Sequence, residues 1–151
     1  MTIRERIKAA QIEAMKSGDK GRLAAVRLIL AKLKDRDIEL RTASQLPDDD
    51  QIAVEVLQKM VKQRRESITM YEQGNRPELA AQEQAELEVI ESFLPNQMSE
   101  AETSAAIAAI KTELGASGLK DMGKVMAALK ERHGTVLDMS KASALVKAAL
   151  S

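Results

Sequence analysis

Cysteine and tryptophan are absent, and Tyr71 and Phe93 are the only tyrosine and phenylalanine among 151 residues. Without thiols, thiolate catalysis, zinc-thiolate sites and iron-sulfur clusters are excluded. A protein that gripped single-stranded nucleic acid by base stacking would need several rings, and two do not suffice. Proline and glycine are scarce as well, with 3 and 7 copies, so few residues interrupt a helix. No apolar run approaches the roughly 18 residues of a membrane span, and the opening MTIRERIKAA has no apolar signal segment. The expectation is a soluble, cytoplasmic protein that makes no use of a membrane. A chain of this length buries about 68–70% of its extended surface, so a core can form without disulfides or structural metal.

Positive and negative charges balance at 23 each, but unevenly along the chain. Residues 4–41 carry 11 basic and 6 acidic side chains, residues 48–91 carry 5 and 11, and residues 95–151 carry 7 and 6. A protein that coats nucleic acid is basic overall. Any such contact here must be local.

The apolar residues recur with helical spacing, and no stretch alternates as a strand would. Thr2 and Glu5 form a capping box ahead of Ile3, Ile7, Ala10 and Ala14, and Gly18 with Asp19 stops this first helix and caps the next. Leu23, Val26, Leu30, Leu33 and Leu40 predict a coiled-coil-like seam on a second helix ending near Thr42. Pro47 and Asp48 to Asp50 open a third, carried by Ile52, Val56, Leu57, Met60, Val61, Ile68 and Tyr71 to about Gln73. Gly74 should stop it, and Asn75 with Glu78 should cap a fourth, whose stripe is Leu79, Leu87, Ile90 and Leu94 until Pro95 ends it.

The segment LPNQMSE marks a boundary, because a second capping box, Ser99 with Glu102, follows it and 12 of the 57 residues from 95 onward are alanine. Three further helices are expected. The fifth runs over about 100–114 with Ile107, Ile110 and Leu114. The sixth carries Met122, Val125, Met126 and Leu129, is capped by Asp121 and stops near Gly134. The seventh covers about 140–150 with Leu145, Val146 and Leu150. The fold predicted is all-α: an N-terminal antiparallel helical bundle, 1–94, and a small three-helix tail domain, 95–151, joined by a hinge.

No self-sufficient catalytic site emerges. A serine hydrolase needs a histidine beside its nucleophile, and the single histidine, His133, precedes Gly134 at a helix end, where a cation suits the dipole. GDKGR at 18–22 lacks the Gly-Lys-Ser/Thr ending and preceding strand of a phosphate loop. Glu83, Glu86, Glu88 and Glu91 lack the histidine of a bundle metal site and read as a solvated acidic face. Lys62, Arg64 and Arg65 have Glu66 and Glu72 for company and read as ion-pair formers. No metal or other cofactor is expected. One anion-binding constellation remains: Lys120 and Lys124 around Gly123 at a helix start, where backbone N–H groups and the dipole favour a phosphate. Close helix packing is the competing explanation of Gly123.

LAAVRLILAKLKD at 23–35, KQRRESITMYEQGNRPELAAQEQAELEVIESFLPNQMSEAE at 62–102 and DMGKVMAALK at 121–130 together resemble the GatB/YqeY family. Its small helical members are similar to the C-terminal portion of the B subunit of tRNA-dependent amidotransferases. The resemblance implies an N-terminal helical bundle and a helical tail that contacts the elbow of tRNA. It also carries a label, carbon-nitrogen ligase with glutamine as amido donor, although the catalytic domain of the B subunit is absent here. The function implied is an accessory tRNA-binding module with amidotransferase or aminoacyl-tRNA synthetase subunits as partners, and the anion-binding constellation read from the residues, Lys120, Gly123 and Lys124 with Lys130, is the contact expected for it. The alternative is a helical adaptor between proteins that binds no RNA.

Overall fold

The computed structural model describes all 151 residues and contains seven α-helices, two 3-10 turns and no strand. The chain divides into two compact units, Met1–Leu94 and Pro95–Ser151.

In the first unit, α1 (Ile3–Ser17) starts at the expected capping box: Thr2 Oγ1 accepts from the Glu5 N–H at 3.2 Å and the Glu5 carboxylate accepts from the Thr2 N–H at 2.9 Å. Gly18, at φ 73°, ends it in the left-handed conformation, and the Asp19 carboxylate accepts the Arg22 N–H to open α2 (Lys20–Glu39). So short a turn folds α2 back antiparallel to α1. The buried residues of α2 are Ala25, Val26, Ile29 and Leu33, while Leu23, Leu30 and Leu40 are half-buried. The expected seam is therefore displaced toward Ile29. A helix packed on several neighbours buries a stripe broader than the narrow seam of a two-helix coiled coil.

A 3-10 turn (Leu40–Thr42) and an exposed loop lead to α3 (Asp49–Gln73), where Asp49 and Asp50 occupy the first turn. Asp50 Oδ1 accepts the Ile3 N–H at 3.1 Å, tying the start of α3 to the start of α1. Arg4 reinforces that corner. It forms a two-pronged hydrogen bond to Asp37, at 2.7 and 2.9 Å, and its Nε lies 2.8 Å from Asp49 Oδ1 as an ion pair without a directed hydrogen bond. The bond to Asp37 is the main cause that raises the Arg4 pKa above its ordinary value.

The turn into α4 (Pro77–Glu91) differs from expectation. Gly74 has φ −84°, and Asn75, at φ 56°, is the left-handed residue. The Asn75 N–H donates to Glu72 O and the Arg76 N–H to Tyr71 O, so the turn consumes carbonyls at the end of α3. Asn75 is thus a helix stop and not a cap. Arg76 holds the N-cap position without a side-chain hydrogen bond, and Pro77 takes the first helical position, where its missing N–H is not needed.

Ala80, Leu87, Ile90 and, just past the helix end, Phe93 are buried on the α4 side of the unit. Leu87, Ile90 and Phe93 join Ile7, Val26, Ile29, Leu33 and Leu57 in one core. Arg64 of α3 lies 3.0 Å from Glu83 and 3.3 Å from Glu86, and Arg65 lies 3.3 Å from Glu91. Glu83 and Glu86 are partly covered partners of an arginine, not members of a solvated face.

In the second unit, α5 (Glu100–Leu114) begins at the Ser99–Glu102 capping box, and α6 (Met122–His133) and α7 (Met139–Leu150) pack with it around Ile107, Ile110, Val125, Leu129, Val146 and Leu150. The Glu102 carboxyl sits below its ordinary pKa because it accepts the Ser99 N–H. Leu114, expected in the stripe, is exposed. Asp138 caps α7 by accepting the Ser140 N–H. At the far end of α7 the Lys111 ammonium donates to Ala149 O at 2.9 Å, a cation on the negative pole of a helix. Arg132 and Glu113 form a bidentate pair at 2.6 and 3.0 Å across α6 and α5, which holds the Glu113 carboxyl below its ordinary pKa.

The junction is shorter than the sequence implied. Gln97 Nε2 donates to Thr135 O and the Met98 N–H to Val136 O at 2.7 Å, so these two residues are tied into the second unit. Leu87→Ala, at a position 4% exposed, is expected to destabilise the first unit by about 2–5 kcal/mol in urea titration, from lost burial and the cavity left behind. If the two units are separately folding domains, brief limited proteolysis should cut first at the exposed Asn96 and release two protected fragments. A single resistant core would refute that division.

Candidate nucleic-acid interface

The segment that joins α5 to α6 is built from two left-handed glycines. Gly115, at φ 62°, ends α5, Ala116 turns inward and is buried, and Gly118, at φ 80°, redirects the chain into a 3-10 turn (Leu119–Asp121) that runs straight into α6. Asp121 does not cap α6 with its side chain. Its carboxylate reaches back to accept the Ser117 N–H at 2.9 Å, closing the loop on itself, and its other oxygen lies 3.9 Å from the Lys124 ammonium.

This changes where free backbone donors are found. The Asp121 N–H donates to Gly118 O, and the Met122 N–H donates to Leu119 O. The 3-10 turn therefore supplies acceptors for amides that an abrupt helix start would leave open. The negative charge that suits this helix end is already provided by Asp121, 16% exposed, whereas the Lys124 side chain beside it is 77% exposed.

Lys120, Gly123, Lys124 and Lys130 are all exposed. Gly123 and Lys130, seven residues apart, lie on nearly the same side of α6, about 10.5 Å apart along its axis. Lys124 is turned about 100° from Gly123, and Lys130 is itself engaged in a contact of its own. A Cβ built on Gly123 would meet nothing within 4 Å. Close helix packing therefore does not explain this glycine. Sequence reasoning gave the Asp121 carboxylate to the cap of α6 and missed that it closes the loop, although the spacing of Ser117 and Asp121 around a glycine is a loop-closing signal.

His133 is the last residue of α6, beside Lys130 and Arg132, a basic final turn at the negative pole of the helix. Gly134 follows at φ −59°, an ordinary helical angle, so its freedom from a side chain is not what stops the helix. A groove of about 420 Å³ lies between α2 and α3, but its wall alternates Lys32, Arg36 and Lys59 with Asp35, Glu39 and Glu55, and Arg36 is spent on Glu39 at 2.8 Å. No three His, Asp or Glu side chains converge as a metal-binding group.

Residues 4–150 match the family model described as Yqey-like protein. Over 119 residues the chain is 32% identical to "Altered inheritance of mitochondria protein 41, mitochondrial" of Lachancea thermotolerans, a match that covers 74% of this chain and 62% of that protein. The chain thus spans less than two thirds of the relative's length. No helix is long and apolar enough to cross a membrane.

Gly123 lies inside the continuous run from the 3-10 turn into α6, with open space where a side chain would be. Gly123→Ala is therefore expected to stabilise the second unit by about 0.5–1 kcal/mol in chemical denaturation. A loss of stability would show that the residue has a steric role.

Proposed function

From the premise that the chain belongs to the YqeY-like protein family, we propose that it is an accessory RNA-contacting helical module, with tRNA as the ligand and the start of α6 as the contact. The observation that carries this reading is Gly123: an exposed glycine with no packing neighbour, between Lys120 and Lys124. Absence of a side chain lets a phosphate come close to the helix, and the two ammonium groups supply counter-charge. Lys130 extends the contact by two turns. Asp121 opposes it, because its carboxylate sits beside Lys124 and must yield that partner to a phosphate.

In this reading the chain works beside amidotransferase or aminoacyl-tRNA synthetase subunits in the cytoplasm, and ligase chemistry belongs to those partners. The relative's name places that protein in mitochondria, so the compartment is part of the proposal. The adaptor reading is favoured by a different feature, the outward face of α2.

Filter binding to bulk tRNA over a salt series tests the RNA reading. Lys120→Glu with Lys124→Glu should leave the fold intact, since both residues are exposed and acids suit a helix start. The double variant should bind more weakly and show a salt slope smaller by about 2, one phosphate contact for each lysine. Asp121→Asn should bind more tightly. An unchanged constant and slope in the folded double variant, or no binding by the native chain at low salt, would overturn the proposal.

A further inference from the structure

The back of α2 carries an ordered pattern that the core of the first unit does not use. Ala24, Leu28, Ala31, Asp35 and Ile38 follow 4-3-4-3 spacing and are all exposed, with Leu28 at 37% and Ile38 at 46%. They lie roughly opposite the buried row of Val26, Ile29 and Leu33. Beside them run Lys20, Arg27 and Lys34 at intervals of seven residues, with Arg41 seven further on in the 3-10 turn, each exposed. None of these four has a carboxylate partner; the ion pairs of this region belong to Arg4 and Arg36. One heptad of α2 advances about 10.5 Å along the axis and drifts about 20° around it, so Lys20, Arg27 and Lys34 form a slowly winding ridge parallel to the apolar row, and Arg41 follows them past the helix end.

We infer that this face docks an acidic amphipathic helix of a partner protein, with its apolar seam on Leu28, Ala31 and Ile38 and its acidic flank on Arg27, Lys34 and their neighbours. Complementarity of charge and period selects this occupant. Each element of the pattern matches what a helix-on-helix contact requires: small or branched apolar side chains three and four apart, and charges of one sign along one flank. Phosphate tracking would not use Leu28 and Ile38, and the unpaired Asp35 in the middle of the row would repel it. Against a helix, Asp35 sets the register instead, because it requires a cation or amide opposite it. The inference concerns the first unit alone and does not rest on RNA contact by α6.

The probe is a labelled 21-residue peptide with leucine along its seam, glutamate on its flanks and one central lysine; a control replaces the glutamates with lysine. Fluorescence anisotropy with the full chain should show binding of the acidic peptide and not of the control, weakening as salt rises. Arg27→Glu with Lys34→Glu, and separately Leu28→Ser with Ile38→Ser, should each weaken binding by about tenfold or more while the circular dichroism is unchanged, since all four positions are exposed. The inference falls if both peptides bind alike, if the acidic peptide does not bind, or if either variant binds as the native chain does. It also falls if oligouridine competes for the ridge where the acidic peptide cannot, or if sedimentation shows a dimer that only these variants dissociate.

Discussion

The left-handed turn at Asn75 fixes the geometry on which the first unit depends. An interior with one phenylalanine and no tryptophan has a single large plate, Phe93, to bridge gaps between helices, so the helices must approach closely and in register elsewhere. Asn75, at φ 56°, reverses the chain at the end of the 25-residue α3, and α4 then runs back along it. That reversal brings Glu83 and Glu86 to Arg64 and puts Leu87 and Ile90 among Ile7, Val26 and Leu57. Asparagine tolerates this conformation better than most side chains. The fully permissive residue, Gly74, stands one position earlier at an ordinary angle, where an added Cβ would come within 3.3 Å of Met70 O.

Much of this was legible in the sequence. Both capping boxes, the Gly18 stop and the Asp19 start rest on local hydrogen bonds between residues three or four apart, and such signals survive folding unchanged. What was illegible depended on neighbours. Asn75 reads as a cap because asparagine serves at helix starts and in left-handed stops alike, and only Pro77, which claims the first helical position, separates the two uses. Ile29 was passed over because a seam drawn as 3-4-3-7 steps across it, whereas contact with several helices buries a wider arc.

The candidate site shows the same division more sharply. Lys120, Gly123 and Lys124 were visible as a pattern, and the structure leaves them exposed at the start of α6. Asp121 was visible too, but its side chain has two uses, capping the helix ahead or closing the loop behind. The choice is made by Gly118, whose φ of 80° places the Ser117 N–H within 2.9 Å of the carboxylate. A helix-capping aspartate would have faced the amides that a phosphate wants. The loop-closing one turns back to the Ser117 N–H and meets Lys124 from the side.

Zero net charge conceals an asymmetry in how charge is used. In the acidic stretch, Asp49, Asp50, Glu83, Glu86 and Glu91 are engaged within the first unit, by Arg4, the Ile3 amide, Arg64 and Arg65. In the basic stretch, Lys20, Arg27, Lys34 and Arg41 are engaged by nothing. Folding thus ties up several acids of that stretch while leaving a row of cations in water, and the exposed ridge is more positive than the composition suggests. Exposed pairs contribute only about 0–1 kcal/mol to stability, so a fold has little to gain by arranging a heptad row of cations, and much less by setting Leu28 and Ile38 beside it. Such a row is better explained by what it can meet than by what it holds together.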